Sequence, residues 1–118
     1  MPIKGLDELL TRLEGMAERM SEGVAAGLEA GLGHTVKRAK ELAPVQTGRL
    51  RDSIGCAVMR DGGEVKGRVS ASAEYAARVE LGDAQHPPAP FLYPAFKQTK
   101  KRMIGEVREA VHKELRRR

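Results

Sequence analysis

Glu74, Glu80 and Asp83 lie close together in the sequence and are its nearest approach to paired carboxylates for acid–base work. Such a pair also needs a nucleophile or donors for a developing negative charge, and neither accompanies them. Glu80 is better suited to capping a turn, or to pairing with an arginine such as Arg49 or Arg78. The histidines His34, His86 and His112 fall on a helix, a loop and another helix without metal-ligand spacing, which predicts no metal site. Gly48 and Gly82 lack the multi-glycine context of a phosphate loop. Cys56 falls on the inward side of an expected strand, a core position rather than a reactive thiol. The expectation is a protein that binds without turnover: no enzyme, no cofactor.

The elements that position these residues must be built from few aromatics. With 118 residues, no Trp, two Tyr and two Phe, one domain spanning 1–118 is expected, burying roughly two thirds of its unfolded surface. Its packing must come from Leu, Val, Ala and Met. A single Cys, no secretory signal and no apolar run near the length of a membrane span predict a soluble protein of a reducing cytoplasm, with no membrane contact. The formal charge of +5 is uneven: residues 1–42 carry 6 basic and 7 acidic side chains, 43–96 carry 6 and 6, and 97–118 carry 9 and 3. Lys113, Arg116, Arg117 and Arg118 therefore mark either a surface for DNA or an acidic partner, or a solvated helix end. No aromatic platform or nucleic-acid module accompanies the charge, so any DNA contact would be to phosphates and without sequence specificity.

Apolar residues recur every three or four positions from Leu6 to Ala43, one amphipathic helical stripe. A continuous helix of about 36 residues would be about 54 Å long, against a radius of gyration of about 13–14 Å for a compact domain of this size. It must break or project. Gly23, Gly27 and Gly31, four apart, form either a groove for close approach of another helix, as at a subunit interface, or the approach to a break near Gly31–Gly33. Pro44 ends the segment. Thr47 suits an N-cap for a helical turn over 48–52. Ile54, Cys56 and Val58, then Val65, Val69 and Ala71, alternate about the turn at 61–63 and predict a hairpin with one apolar face. Tyr75–Leu81 reads as a short helix, and 83–90, with three prolines, as an irregular loop exposed to a partner. Pro94 fits the first turn of a second amphipathic helix whose stripe includes Leu92, Ala95, Phe96, Thr99, Met103 and Val107. The fold class is α+β: a long N-terminal helix, a small antiparallel sheet and a long C-terminal helix.

Three segments carry a family pattern: APVQTGRLRDSI at 43–54, YAARVELG at 75–82 and PAPFLYPAF at 88–96. In this order they resemble the small neck proteins of tailed bacteriophages and prophages, the head–tail connector or tail-completion family. The matching positions are Pro44, Thr47, Gly48, Leu50, Ser53 and Ile54; Tyr75, Ala76, Glu80 and Gly82; and Pro90, Phe91, Leu92 and Pro94. Asp83 stands where the family usually has Thr, and Tyr93 where Arg is frequent. The resemblance implies a structural virion protein that forms a homo-oligomeric ring, contacts portal, adaptor or tail proteins, joins head to tail and lets DNA pass. Its place would be the host cytoplasm during assembly and the virion neck afterwards. The alternatives are a small basic, sequence-independent DNA-binding or packaging accessory protein, and a hydrolase using Glu80 or Asp83 as base, for which the sequence offers no nucleophile.

Overall fold

A computed structural model describes residues 5–44 and 48–116. Its elements are α1 (Leu6–Leu42), α2 (Arg49–Asp52), β1 (Ile54–Asp61), β2 (Glu64–Ala71), α3 (Ala76–Leu81) and α4 (Leu92–Arg116). The α+β reading holds: two long helices and an antiparallel ribbon.

Helix α1 runs unbroken for 37 residues, passing through Gly31 and Gly33. The chain enters it at Gly5 in the left-handed region and leaves through extended Ala43, ahead of Pro44. The molecule measures 72 × 25 × 19 Å, with a radius of gyration of 19.6 Å, well above the value for a compact chain of this length. Projection, not a break, resolves the excess length of the stripe.

The glycine face explains how α1 and α4 pack. A Cβ at Gly23 would lie 2.8 Å from Val111 Cα, one at Gly27 would collide with Val107 Cα, and one at Gly31 would lie 2.8 Å from Met103 Cα. The obstructing atoms are backbone at Gly23 and Gly27, and Met103 Cγ and Cα at Gly31, so α4 lies antiparallel to α1 at a separation only glycine permits. The subunit interface expected at Gly23, Gly27 and Gly31 is thus corrected: this chain's own α4 fills the groove. Further along, Thr35 is fully buried. Its hydroxyl donates to Thr99 Oγ1 at 2.6 Å, while Thr99 donates to the Ala95 carbonyl at 2.8 Å. Arg38 Nε donates to Gln98 Oε1 at 2.7 Å, and His34 Nε2 lies 3.3 Å from Glu106 Oε1.

The hairpin pairs Ile54 with Ala71 through Asp61 with Glu64, around a two-residue turn whose first residue, Gly62, has φ +62°. Only a residue tolerant of the left-handed region serves there. Its apolar face lies on α1, where Gly67 admits Leu32 Cδ1 to 2.6 Å from the place of a Cβ. Cys56 shares that face, as the partner of Val69. It is nevertheless exposed, contrary to the core position expected of it, because one helix covers only part of the ribbon.

The two kinds of glycine in α1 should respond oppositely to alanine. A Cβ at Gly33 meets nothing within 4 Å, so Gly33→Ala should stabilise the protein by about 0.5–1 kcal/mol through helix propensity. Gly27→Ala gains the same propensity but pushes α4 away, and should lower stability by about 1–3 kcal/mol. Urea unfolding midpoints of both variants check the pair; a Gly27→Ala midpoint at or above wild type would contradict the packing.

Candidate assembly junction

The three sequence segments meet at the base of the hairpin. Ala39 of α1, Ala43 just after it, Leu50 of α2, Ile54 of β1, Ala76 of α3, and Phe91 and Ala95 form one buried cluster. Phe91 is completely buried and is among the largest buried side chains. Tyr75, Val79 and Leu92 pack partly buried against the cluster.

Local chemistry fixes each strand of this junction. Gly48, with φ +79°, occupies the N-cap of α2, and no side chain caps that end. The N-cap proposed at Thr47 lies outside the described residues. Ser53 is the C-cap of α2: its hydroxyl donates to the Leu50 carbonyl at 2.7 Å, and its own carbonyl accepts from Ser72 N at 3.3 Å. Strand β1 begins one residue later. Gly82, at φ +76° and ψ 172°, turns the chain so tightly that a Cβ there would lie 2.7 Å from Pro88 N. This backbone belongs almost only to glycine.

Glu80 holds the start of α4. Its Oε2 accepts from Phe91 N at 2.7 Å and Leu92 N at 3.0 Å, and its Oε1 accepts from Tyr93 N at 3.0 Å. The next residue, Pro94, has no N–H. All the donors that a helix start leaves unpartnered are therefore satisfied by one carboxylate or absent. The negative charge also faces the positive end of the helix dipole. Desolvation, the largest single influence on this carboxyl, raises its pKa, but the N–H groups of Phe91, Leu92 and Tyr93 together outweigh it and hold it below the ordinary glutamate range. Glu80 caps a helix; the described arginines near it are engaged elsewhere, Arg78 with Asp83 at 4.0 Å and Arg49 with Glu74 at 3.9 Å.

Asp83 organises the loop that follows. Its Oδ1 accepts from Gln85 N at 2.9 Å and His86 N at 2.7 Å and lies 3.1 Å from His86 Nδ1. The Gln85 N–H chiefly, then the His86 N–H and ring, keep this carboxyl below its ordinary range against partial desolvation. Ala89 N donates to the Val79 carbonyl at 2.8 Å, tying the far end of the loop to α3. The loop 83–90 is irregular and exposed, as its three prolines predict, and Asp83 supplies partners to its backbone from within. The loop, Pro44, Leu50, Tyr75 and Arg78 border an open cleft of about 330 Å³. Both carboxylates considered as catalytic bases are occupied by backbone N–H groups, and among the described residues no group of three His, Cys, Asp or Glu side chains could hold a metal ion.

Pro90 and Tyr93 are exposed beside the capped helix start. Lys113 and Arg116 are exposed at the other end of α4, away from the junction; Arg117 and Arg118 lie outside the described residues. No helix among the described residues is long and apolar enough to cross a membrane.

A long helix carrying an antiparallel ribbon, locked at the ribbon's base to a second helix, defines a small helical scaffold. Residues 7–82, from the first turn of α1 to the close of α3, match the family described as "Bacteriophage HK97-gp10, putative tail-component", and the chain belongs to that family. It is thus a member of a structural phage tail-component family, as the resemblance in the sequence implied. No curated protein and no solved structure gave a significant match.

Glu80→Gln should cost about 1–2 kcal/mol at neutral pH, because an amide offers one acceptor oxygen where the carboxylate offers two and a charge. A carboxyl whose folded pKa is depressed contributes stability above its unfolded pKa and loses it as pH falls through the folded value. The difference between wild type and variant should therefore be constant above about pH 5 and shrink below about pH 4.3. Urea unfolding at successive pH values checks this; a difference unchanged at acid pH would show that the charge is not what stabilises the cap.

Proposed function

We propose that this chain is a ring-forming neck component of a tailed phage or prophage, which joins head to tail and leaves a lumen for DNA. Membership of the tail-component family carries the reading. Two features of the fold support it: α1 extends far beyond the junction that its own chain covers, and its projecting part exposes leucines and methionines. A surface of that kind suits a subunit with neighbours. Closed rings arise when identical subunits make head-to-tail contacts whose rotation closes. The partners are further copies of this chain and the portal, adaptor or tail proteins on either side.

Within this reading the basic end of α4, Lys113 and Arg116 with Arg117 and Arg118, faces DNA or acidic side chains. Repeated around a ring, an excess of basic groups must be balanced by phosphate, carboxylate or salt. A sequence-independent DNA-binding accessory protein is the second reading, favoured by the 9 basic against 3 acidic residues of 97–118.

Deleting the gene from its phage separates the two readings. The neck reading expects full heads and complete tails that fail to join, with joining restored when purified protein is added. Normal joining, together with a defect confined to DNA filling, would contradict it and support the accessory reading.

A further inference from the structure

The apolar line of α1 does not end where α4 ends. Val111 of α4 packs at Gly23, and α4 finishes at Arg116, so cover stops near Arg19. Toward the N-terminus the same line continues through Met20, Met16, Leu13 and Leu9 to Leu6, which are 39–52 % exposed. Spacings of three and four keep these residues in register with the glycine face. This arm of 15 residues, about 22 Å long, is a helix-packing surface already in use along one half of α1 and bare along the other.

Helix α4 carries a second apolar line on its outer side. Tyr93, Ile104 and Leu115 are all exposed and are spaced 11 residues apart, three turns of helix, so they fall on one line. Lys97, Lys101 and Arg108 flank it and are also exposed. The charges of the two surfaces are opposite. Residues 6–22 carry five acidic and two basic side chains, whereas residues 92–116 carry seven basic and three acidic. Arm against arm would set negative against negative, and α4 against α4 positive against positive. Arm against α4 sets opposite charges together.

We infer that the arm of one subunit, residues 6–20, docks along the outer face of α4 of a second copy, with Leu9, Leu13 and Met16, which span about 10 Å, packed around Ile104 at the middle of the Tyr93–Ile104–Leu115 line. The contact is head-to-tail: each subunit gives an arm and receives one. A single pair of short helices is small beside a standard stable interface. A closed ring makes every subunit use the contact twice, which offsets the weakness of each. The inference rests on the ring reading above and identifies the surfaces that form it.

Complementation between two defective variants tests it in solution, on the full chain. Leu13→Glu spoils the arm and leaves α4 intact; Ile104→Glu does the reverse. Circular dichroism and urea unfolding verify that both remain folded. Light scattering at the highest soluble concentration should give a multimer for wild type and a 12.9 kDa monomer for each variant alone. A mixture of the two should form a weak, concentration-dependent species of at most twice the monomer mass, because only one productive contact remains and no ring closes to reinforce it; mixing that restores the wild-type multimer would overturn the docking. In a Cys56→Ser background, Leu13→Cys should cross-link to Ile104→Cys between chains, and Leu13→Cys alone should not. Monomeric wild type, an Ile104→Glu variant that still assembles, or efficient cross-linking of Leu13→Cys to itself would each overturn the docking. An Ile104→Glu variant that assembles normally but loses salt-sensitive DNA affinity would overturn it too, and would assign the outer face of α4 to nucleic acid. If docking fails while virions still show a ring of this protein, the ring reading stands and only its contact surface is wrong.

Discussion

The backbone-to-backbone approach of α1 and α4 is the constraint on which the rest of the structure depends. Glycines at 23, 27 and 31 each cost up to about 1 kcal/mol of helix propensity relative to alanine. In return the main chain of α4 comes within van der Waals reach of α1 at Met103, Val107 and Val111, where many small dispersion contacts accumulate. That approach sets α4 antiparallel alongside the glycine half of α1. Its start falls at the base of the hairpin, within reach of Glu80; its end falls short of the first four turns of α1.

The junction shows how a lean composition still specifies a unique arrangement. Apart from Leu50, Ile54 and Phe91, the buried cluster consists of alanines, so little apolar area is available to select one geometry over another. Polar groups with demanding geometry take over that role. Three N–H groups converge on Glu80, two on Asp83, and the Thr35–Thr99 pair is satisfied within the interface of the two helices. Displacing Glu80 from Phe91 and Leu92, or separating Thr35 from Thr99, would leave partly buried donors or acceptors unpaired, which costs more than the bonds themselves contribute.

Much of this was legible in the sequence because the signals are local. The stripe from Leu6 to Ala43, the alternation on either side of Gly62 and Gly63, and Pro94 in the first turn of α4 each report the conformation of a few neighbouring residues. What a surface packs against is not local information. The glycine face announced a close helix neighbour, but spacing alone does not distinguish this chain's α4 from another subunit. Cys56 alternates like a core residue and is exposed because the ribbon is wider than its cover. The role of Glu80 lay open between a turn cap and an arginine pair, since its donors are 11 to 13 residues away. Gly48 and Gly82, which belong to the segments that carry the resemblance, both take left-handed φ at this junction.

Amide hydrogen exchange on the isolated, dilute subunit tests the central claim most directly, because it reads the two halves of α1 in one experiment. A helix of about 12–15 residues without tertiary packing is marginal in water, while a packed one exchanges only through larger openings. If α4 of the same chain covers the glycine face and stops there, residues 23–39 and 95–111 should be strongly protected and residues 7–18 should exchange orders of magnitude faster. Equal protection along the whole of α1, or rapid exchange at Gly23, Gly27 and Gly31 alongside Val107, would contradict the account.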